Sequence, residues 1–346
     1  MSGHSFQIGS YRLPPEAEPL VIAEAGINHN GDLQKALDLV TAAAEVGAHI
    51  VKFQTHVPDA EMLKDGFSAG YIGESFYDLL SRCVIDEAGH RELKRLASEK
   101  GIVFLSTPFS CEAADLLERL DVPAFKTGSG ELTNLPLLKH IAIKGKPMLI
   151  STGMSTLEEI ARTVDILKPL NPHLILMHCT STYPTPYENV RLLGIRQLQE
   201  LTGVPVGLSD HSRGIATAIA AVALGAVALE KHFTLDRNWP GPDQAGSIEP
   251  DELRRLVIES KQVWLALRER KEVLESERPV QAMARESVVT IAPVRAGEVF
   301  TRQNLWVKRP GTGIPAARLD EFLGKRASRD LPANHLLETK EVDMNS

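Results

Sequence analysis

LVIAEAG at residues 20–26, HIVKFQT at 49–55, IVFLSTP at 102–108 and AFKTGSGE at 124–131 share one design: a short apolar run that stops at charged or hydroxyl residues. Four more runs follow, MLIST at 148–152, LILMHCT at 174–180, VGLSDH at 206–211 and VALEKHF at 227–233. Helical patterns separate them, over 32–47, 88–100, 111–120, 133–144, 155–168, 190–201 and 213–224, with a last one over 250–275. Caps or acidic first turns mark several starts: Asp32, Ser155-Thr-Leu-Glu158 and Pro250-Asp-Glu252. This alternation predicts a parallel α/β fold, and eight units predict a closed (β/α)8 TIM barrel whose strand ends meet at one rim. The competing doubly wound sheet lacks its usual glycine fingerprint, because the first strand runs into Glu24-Ala-Gly-Ile-Asn-His-Asn-Gly31.

The 346 residues suffice for a barrel and a second small domain. We place the barrel at 1–276, a link at 277–284, and a mainly-β domain of short runs and turns at 285–346. Within that domain Arg295-Ala-Gly-Glu-Val-Phe-Thr-Arg-Gln-Asn-Leu305 parallels Pro332-Ala-Asn-His-Leu-Leu-Glu-Thr-Lys-Glu-Val342. Gly297 and Asn334 fall at equivalent places, and both residue types tolerate positive φ. The excursion from Thr55 to Asp86 after the second strand is long enough for a lid or binding loop.

Net charge is −7, which argues against broad binding to nucleic acid or anionic membrane. Cys83, Cys111 and Cys179 show no CxxC spacing and read as reduced, buried thiols. The apolar stretch from Gly214 to Glu230 falls short of a bilayer span and reads as helix, Gly225 turn and last strand. No signal-peptide pattern opens the chain, so the expected location is cytoplasmic.

His211 and His232 end adjacent strands, where neutral imidazoles can share a divalent ion. Two protein ligands suit an exchangeable Mn²⁺, Mg²⁺ or Co²⁺; the alternative is a pair of hydrogen-bonded rim residues. Lys52, Lys126 and Lys231 lie in apolar strand cores, where a cation needs an anion. With Thr107, Ser129, Ser151 and Ser209 nearby they suit a phosphate or carboxylate; the alternative is salt bridging to Glu24, Glu131 or Glu230. Lys231, between Glu230 and His232, is the one most suited to a structural role. Glu24 and Glu131 are candidate acid/base or sugar-binding carboxylates, and Asp243 sits on a loop stiffened by Pro240 and Pro242.

The segments IAEAGINHNG (22–31), VKFQTH (51–56), FLSTPFS (104–110), KTGSGELTN (126–134), LISTGM (149–154), HCTSTYPTPYE (178–188), GLSDHS (207–212), EKHFTLD (230–236) and PGPD (240–243) resemble the sialic acid synthase family. The tail, NLWVKRPGTG (304–313) through LGKR (323–326), resembles its antifreeze-like (SAF) domain. The resemblance implies condensation of phosphoenolpyruvate with N-acetylmannosamine and water, giving N-acetylneuraminate and phosphate with C–O cleavage. It implies that His211 and His232 hold the metal, Mn²⁺ first. Glu24 would be the acid/base, with Asp243 near the metal-bound waters. Lys52, Thr107, Lys126, Ser129, Ser151, Ser181 and Ser209 would hold phosphoenolpyruvate, Glu131 and Tyr183 the sugar, and Gln54 would be a further substrate-binding residue. Arg309 would reach from a homodimer partner into the site. Ser181 stands where some members carry Asn. A diacetamido sugar, as in legionaminic acid synthases, is the alternative substrate, and Glu131 argues against the pseudaminic branch. Two other enzyme classes compete. A Schiff-base pyruvate aldolase would use Lys126, and a metal-dependent hydrolase would need a third ligand that the sequence does not show. The non-enzyme alternative, a binding or ice-binding module on an inert barrel, leaves eight polar strand ends without a role.

Overall fold

The computed structural model describes residues 6–13, 17–64 and 75–344. An antiparallel hairpin, β1 (Phe6–Ile8) and β2 (Tyr11–Leu13), precedes the barrel. The barrel strands are β3 (Leu20–Gly26), β4 (Ile50–Thr55), β5 (Val103–Pro108), β6 (Phe125–Thr127), β7 (Met148–Ser151), β8 (Leu174–Cys179), β9 (Val206–Asp210) and β10 (Ala228–His232). They form one eight-stranded sheet in the order β5-β4-β3-β10-β9-β8-β7-β6, and its end strands β5 and β6 lie side by side. Every resolved pairing in this sheet is parallel. This is the expected (β/α)8 barrel.

Strand period decides which side chains enter it. Outward residues such as Val21, Val51, Phe104, Phe125, Ile150, Leu176, Leu208 and Leu229 pack on helix residues Leu39, Leu93, Leu117, Leu138, Leu198 and Leu256. Inward Ile22, Ile50, Leu105, Ala124, Leu149, Ile175, Met177 and Ala228 form a separate apolar floor, plugged from below by Ile8 and Leu13 of the hairpin. Gly207 is part of that fit, because a Cβ there would lie 2.7 Å from Met177 Sδ. Two residues further along each strand the inward position turns polar.

The helices match their expected places with informative differences. Asp32 caps Leu33–Glu45 by accepting from the amides of Gln34 and Lys35. The box before Leu157–Leu167 is Thr156 with Glu159, one residue later than the sequence suggested, because the Thr156 hydroxyl reaches the third helical amide. The pattern at 190–201 splits into Tyr187–Val190 and Gly194–Thr202, interrupted by Arg191 at φ 51°. The last helix, Pro250–Ala266, ends earlier than the expected residue 275, just before the charged run from Arg268. Of the excursion after β4, the helices Pro58–Glu61 and Phe76–Arg82 are described; its centre, 65–74, lies outside the described residues, as does the lid reading that depends on it.

The chain divides into compact units Met1–Arg268 and Glu269–Ser346. Residues read as a link carry the helix Arg278–Ala284. The second unit holds β11 (Ser287–Thr290) paired with β12 (Leu305–Lys308), and β13 (Arg326–Ala327) paired with β14 (Val342–Asp343), around Val288, Val294, Phe300, Phe322 and Leu337. Gly297 and Asn334, the equivalent points of the repeat, both have positive φ, at 81° and 59°. No described helix is long and apolar enough to cross a membrane. Cys83 and Cys179 are buried as expected, but Cys111 is only half-buried, because it opens a surface helix.

His29 gives the barrel a pH dependence. Its ring is buried, and Nδ1 accepts the Gly31 amide at 3.0 Å, so the ring must be neutral there. Burial, aided by His90 and His56, lowers its pKa from 6.5 to about 4. The unfolded chain therefore binds a proton that the folded chain refuses. His29's contribution is full above pH 6.5 and is lost as pH falls toward 4. That loss is on the order of 3 kcal/mol. Denaturant titrations of wild type and His29→Gln at pH 7 and 4.5 check this; the variant should lose less stability than wild type on acidification, and parallel losses contradict it.

Candidate active site

Above the apolar floor, the next inward positions are Glu24, Lys52, Thr107, Lys126, Ser151, Cys179, Ser209 and Glu230, contributed one per strand. They form an ionic layer. Lys52 Nζ lies 2.6 Å from Glu24 Oε2 and 3.8 Å from Glu230 Oε2, and donates to Thr107 Oγ1 at 2.9 Å. Lys126 Nζ lies 3.6 Å from Glu230 Oε1 and donates to Ser151 Oγ at 2.6 Å and to the Thr127 carbonyl at 3.0 Å. Ser209 Oγ donates to Glu230 Oε1 at 3.0 Å. The salt-bridge reading of Lys52 and Lys126 therefore holds, with Glu24 and Glu230 as their partners, and both ammonium groups lie at one level with Thr107 and Ser151.

The two carboxylates of this layer behave oppositely. Burial raises Glu24 to about 7 against the pull of Lys52, and the like charge of Glu230 adds to the rise. Burial also penalises charge on Glu230, but Lys126, Lys52 and the Ser209 hydroxyl outweigh it and hold Glu230 down at about 2. Two carboxyls whose environments push them apart suit distinct roles. Glu230 is the fixed counter-ion, and Glu24 can exchange a proton near neutral pH. Burial lowers Lys126; it would lower Lys52 as well, but Glu230 and Glu24 raise it.

A third layer opens to the mouth. Gln54 Nε2 donates to Glu24 Oε1 at 3.2 Å. Two glycines stand at this layer, Gly26 because its backbone has positive φ and Gly153 because serine side chains fill the space a Cβ would take. A Cβ on Gly26 (φ 52°) would lie 3.4 Å from Glu24 Oε1 and 3.7 Å from Asp243 Oδ2. On Gly153 it would lie 2.3 Å from Ser181 Oγ and 2.7 Å from Ser129 Oγ, and the Gly153 amide donates to that Ser129 oxygen at 3.1 Å. Burial raises Glu131, whose buried Oε2 has no partner among the described residues. Burial raises Asp243 to about 6.

His211 and His232 meet at the rim with ring centroids 5.3 Å apart, and Tyr183 covers them at 4.1 and 5.8 Å. His211 Nδ1 donates to the Thr180 carbonyl at 2.9 Å, which makes Nε2 the ring nitrogen open to a ligand. Burial drives His232 well below its ordinary range, so it is neutral; its buried Nδ1 has no hydrogen-bond partner among the described residues and lies 3.7 Å from Asp243 Oδ2. Among the described residues no group of three or more His, Cys, Asp or Glu side chains forms a metal site. The donor set thus fits a divalent ion held by two imidazoles with an open remaining shell, and does not fit a caged structural metal.

Lys231 is not part of this site. It is buried against Asp210 Oδ2 at 3.1 Å and the Ser212 carbonyl at 2.5 Å, behind the barrel wall. Asp210 also accepts from the Ser212 amide and the Thr217 hydroxyl. Ser106 and His178 point away from the mouth, bonding Thr55 and the Val190 carbonyl. Arg309 belongs to the second unit, where its Nε donates to the Ala284 carbonyl at 3.1 Å. Glu230 and Cys179 were missed as site residues; counting two from each inward apolar residue would have found both.

A barrel mouth that gathers two buried lysines, clustered hydroxyls, a carboxyl raised by burial and a histidine pair is the polar, strand-end site of a (β/α)8 enzyme. The NeuB family model matches residues 39–272 and the SAF domain model residues 285–343, and the chain belongs to the NeuB family. It is 41% identical to an N,N'-diacetyllegionaminic acid synthase of Campylobacter jejuni over 92% of this chain and 98% of that one. A synthase of the same name from Legionella pneumophila is 39% identical, over 93% of this chain and 94% of that one. The crystal structure of N-acetylneuraminic acid (sialic acid) synthetase from Leptospira borgpetersenii in complex with citrate superposes with a TM-score of 0.74 at 32% identity, over 80% of this chain and 95% of that one.

Gly153 tests the anion pocket. In Gly153→Ala the new methyl displaces Ser129 and Ser181, and a lost hydrogen bond to a charged group weakens anion binding about tenfold or more. Calorimetric titration with phosphoenolpyruvate should show that loss at an almost unchanged melting temperature; wild-type affinity would remove these serines from the pocket.

Proposed function

We propose that this enzyme condenses phosphoenolpyruvate with an open-chain 2-acetamido-mannose-type sugar and water, giving a nine-carbon nonulosonic acid and phosphate. The observation that carries this reading is the ionic layer: two buried lysines with clustered hydroxyls, directly below a histidine pair. Lys52, Lys126, Thr107, Ser129, Ser151, Ser181 and Ser209 would bind the phosphate and carboxylate and hold C3 facing the sugar aldehyde. His211 and His232 would hold a divalent ion, Mn²⁺ first and Mg²⁺ or Co²⁺ next, which when bound polarises that aldehyde. C3 forms the new carbon–carbon bond as C2 becomes electron-poor. Water then adds to C2, and Glu24 takes its proton. The C2–O bond then breaks as the proton of the added hydroxyl passes to the departing oxygen, which leaves a C2 ketone and phosphate. Asp243, raised by burial and close to His232, would handle the proton of the new hydroxyl. Glu131, with its unpartnered buried oxygen, and Tyr183 would contact the sugar chain.

For the sugar, the relatives at 41% and 39% identity favour 2,4-diacetamido-2,4,6-trideoxymannose, the legionaminic branch. N-acetylmannosamine is the second reading, favoured by the 32% identity to the sialic acid synthetase. We further propose a homodimer in which Arg309 of one copy binds the sugar's acyl group in the other, and a cytoplasmic enzyme.

The deciding experiment is phosphate release from phosphoenolpyruvate with Mn²⁺ and either sugar or none, with and without chelator. Sugar-dependent, chelator-sensitive release is expected, faster with the diacetamido sugar. Arg309→Ala should raise the sugar KM. No release with either sugar, together with borohydride trapping of pyruvate on Lys126, would establish the aldolase instead.

A further inference from the structure

A chain of polar contacts leaves the ionic layer and ends on the excursion after β4. His56, just beyond that strand, is buried with its ring stacked on Phe109, centroids 4.5 Å apart and planes 10° apart. Its Nε2 lies 3.1 Å from Gln54 Oε1, and its Nδ1 lies 2.8 Å from Glu61 Oε1. Gln54 Nε2 in turn lies 3.2 Å from Glu24 Oε1. Glu61 is the last residue of the helix Pro58–Glu61, and the side chains of His56 and Glu61 are each only 4% exposed.

With Glu24 ionised, the state in which it can take a proton from water, the donor and acceptor roles from Glu24 to His56 Nε2 are set. An ionised Glu24 only accepts, so Gln54 must turn its NH₂ toward it and its carbonyl toward His56. A carbonyl only accepts, so His56 Nε2 must carry a hydrogen. The Nδ1 contact to a carboxyl satisfies the other side of the ring, and the Phe109 stack fixes the ring plane. Without His56, nothing described prevents the Gln54 amide from rotating and setting its carbonyl oxygen against Glu24.

We propose that Glu61 and His56 are positioning residues that lock the Gln54 amide and, through it, the Glu24 carboxyl. This rests on the reading above only in taking Glu24 as the group that moves the proton. The excursion would then contribute to catalysis through its first turn, at a distance from the reacting atoms.

Two measurements test this. In substrate-free protein, with Glu24 ionised, histidine-selective ¹⁵N spectra should show the hydrogen on His56 Nε2; a bare Nε2 in that state overturns the proposal whatever the substrate proves to be. In the kinetic arm, His56→Phe keeps the stack but loses both hydrogen bonds, and should lower kcat about tenfold to hundredfold with each KM within about twofold. Glu61→Gln should stay within about threefold of wild type, because a neutral His56 can accept from the new amide and still donate to Gln54. Glu61→Leu should fall like His56→Phe, and combining the two should cost nothing more. A folded His56→Phe with wild-type kcat, or a loss confined to KM, overturns the proposal. Absence of turnover by the wild type with both sugars would instead remove the proposed reaction, leaving the spectrum to decide the relay.

Discussion

Glu230 between Lys52 and Lys126 is the interaction on which the rest of the site depends. Burying charge inside a barrel carries a large desolvation penalty, and a lone lysine or glutamate at that depth would give up its charge. Here Glu230 faces Lys52 at 3.8 Å and Lys126 at 3.6 Å, and its third partner is the Ser209 hydroxyl. The group with two cations stays ionised. Glu24, sharing only Lys52 and facing a second negative charge, is pushed the other way. The arrangement gathers two lysines around one ionised carboxylate at the bottom of the mouth while leaving the other carboxyl able to take and give a proton near neutrality.

That layer is possible because of what lies on either side of it. Below, Ile22, Ile50, Leu105, Leu149 and Met177 close the barrel to water, and the N-terminal hairpin seals the end. A packed apolar floor removes competing solvent from one side, which strengthens the electrostatic interactions above it. At the rim, glycines at positions 26 and 153 admit side chains from adjacent loops, so that Asp243, Ser129 and Ser181 reach a level the strands do not supply. A β-bulge between Glu24 and Gly26 re-aims the end of β3 toward the same space.

The fold was almost fully legible in the sequence because each barrel strand is a continuous apolar run with an abrupt polar end, and several helices carry their own caps, such as Asp32 and Thr156. The site was legible in its residues and less so in its pairings. Glu24, Lys52, Lys126, Ser151, His211 and His232 converge as the motifs implied. Glu230 was taken as a neighbour of Lys231, yet those adjacent strand residues point to opposite faces, and Lys231 pairs with Asp210 behind the wall. Period two separates such neighbours, and composition alone cannot. His56 and Glu61 were invisible for another reason: their role follows from hydrogen-bond directions through Gln54, which only coordinates reveal. The break at Arg191 and the early end of the last helix likewise depend on tertiary packing that helical periodicity does not encode.

The most direct test of the ionic layer is a crystal structure of the enzyme with phosphoenolpyruvate and Mn²⁺ bound. The account predicts the anion's oxygens within hydrogen-bonding distance of Lys126 and its neighbouring hydroxyls, with the metal between His211 and His232 and Glu24 facing C2. Phosphoenolpyruvate bound outside the barrel mouth, or pyruvate joined covalently to Lys126, would contradict it.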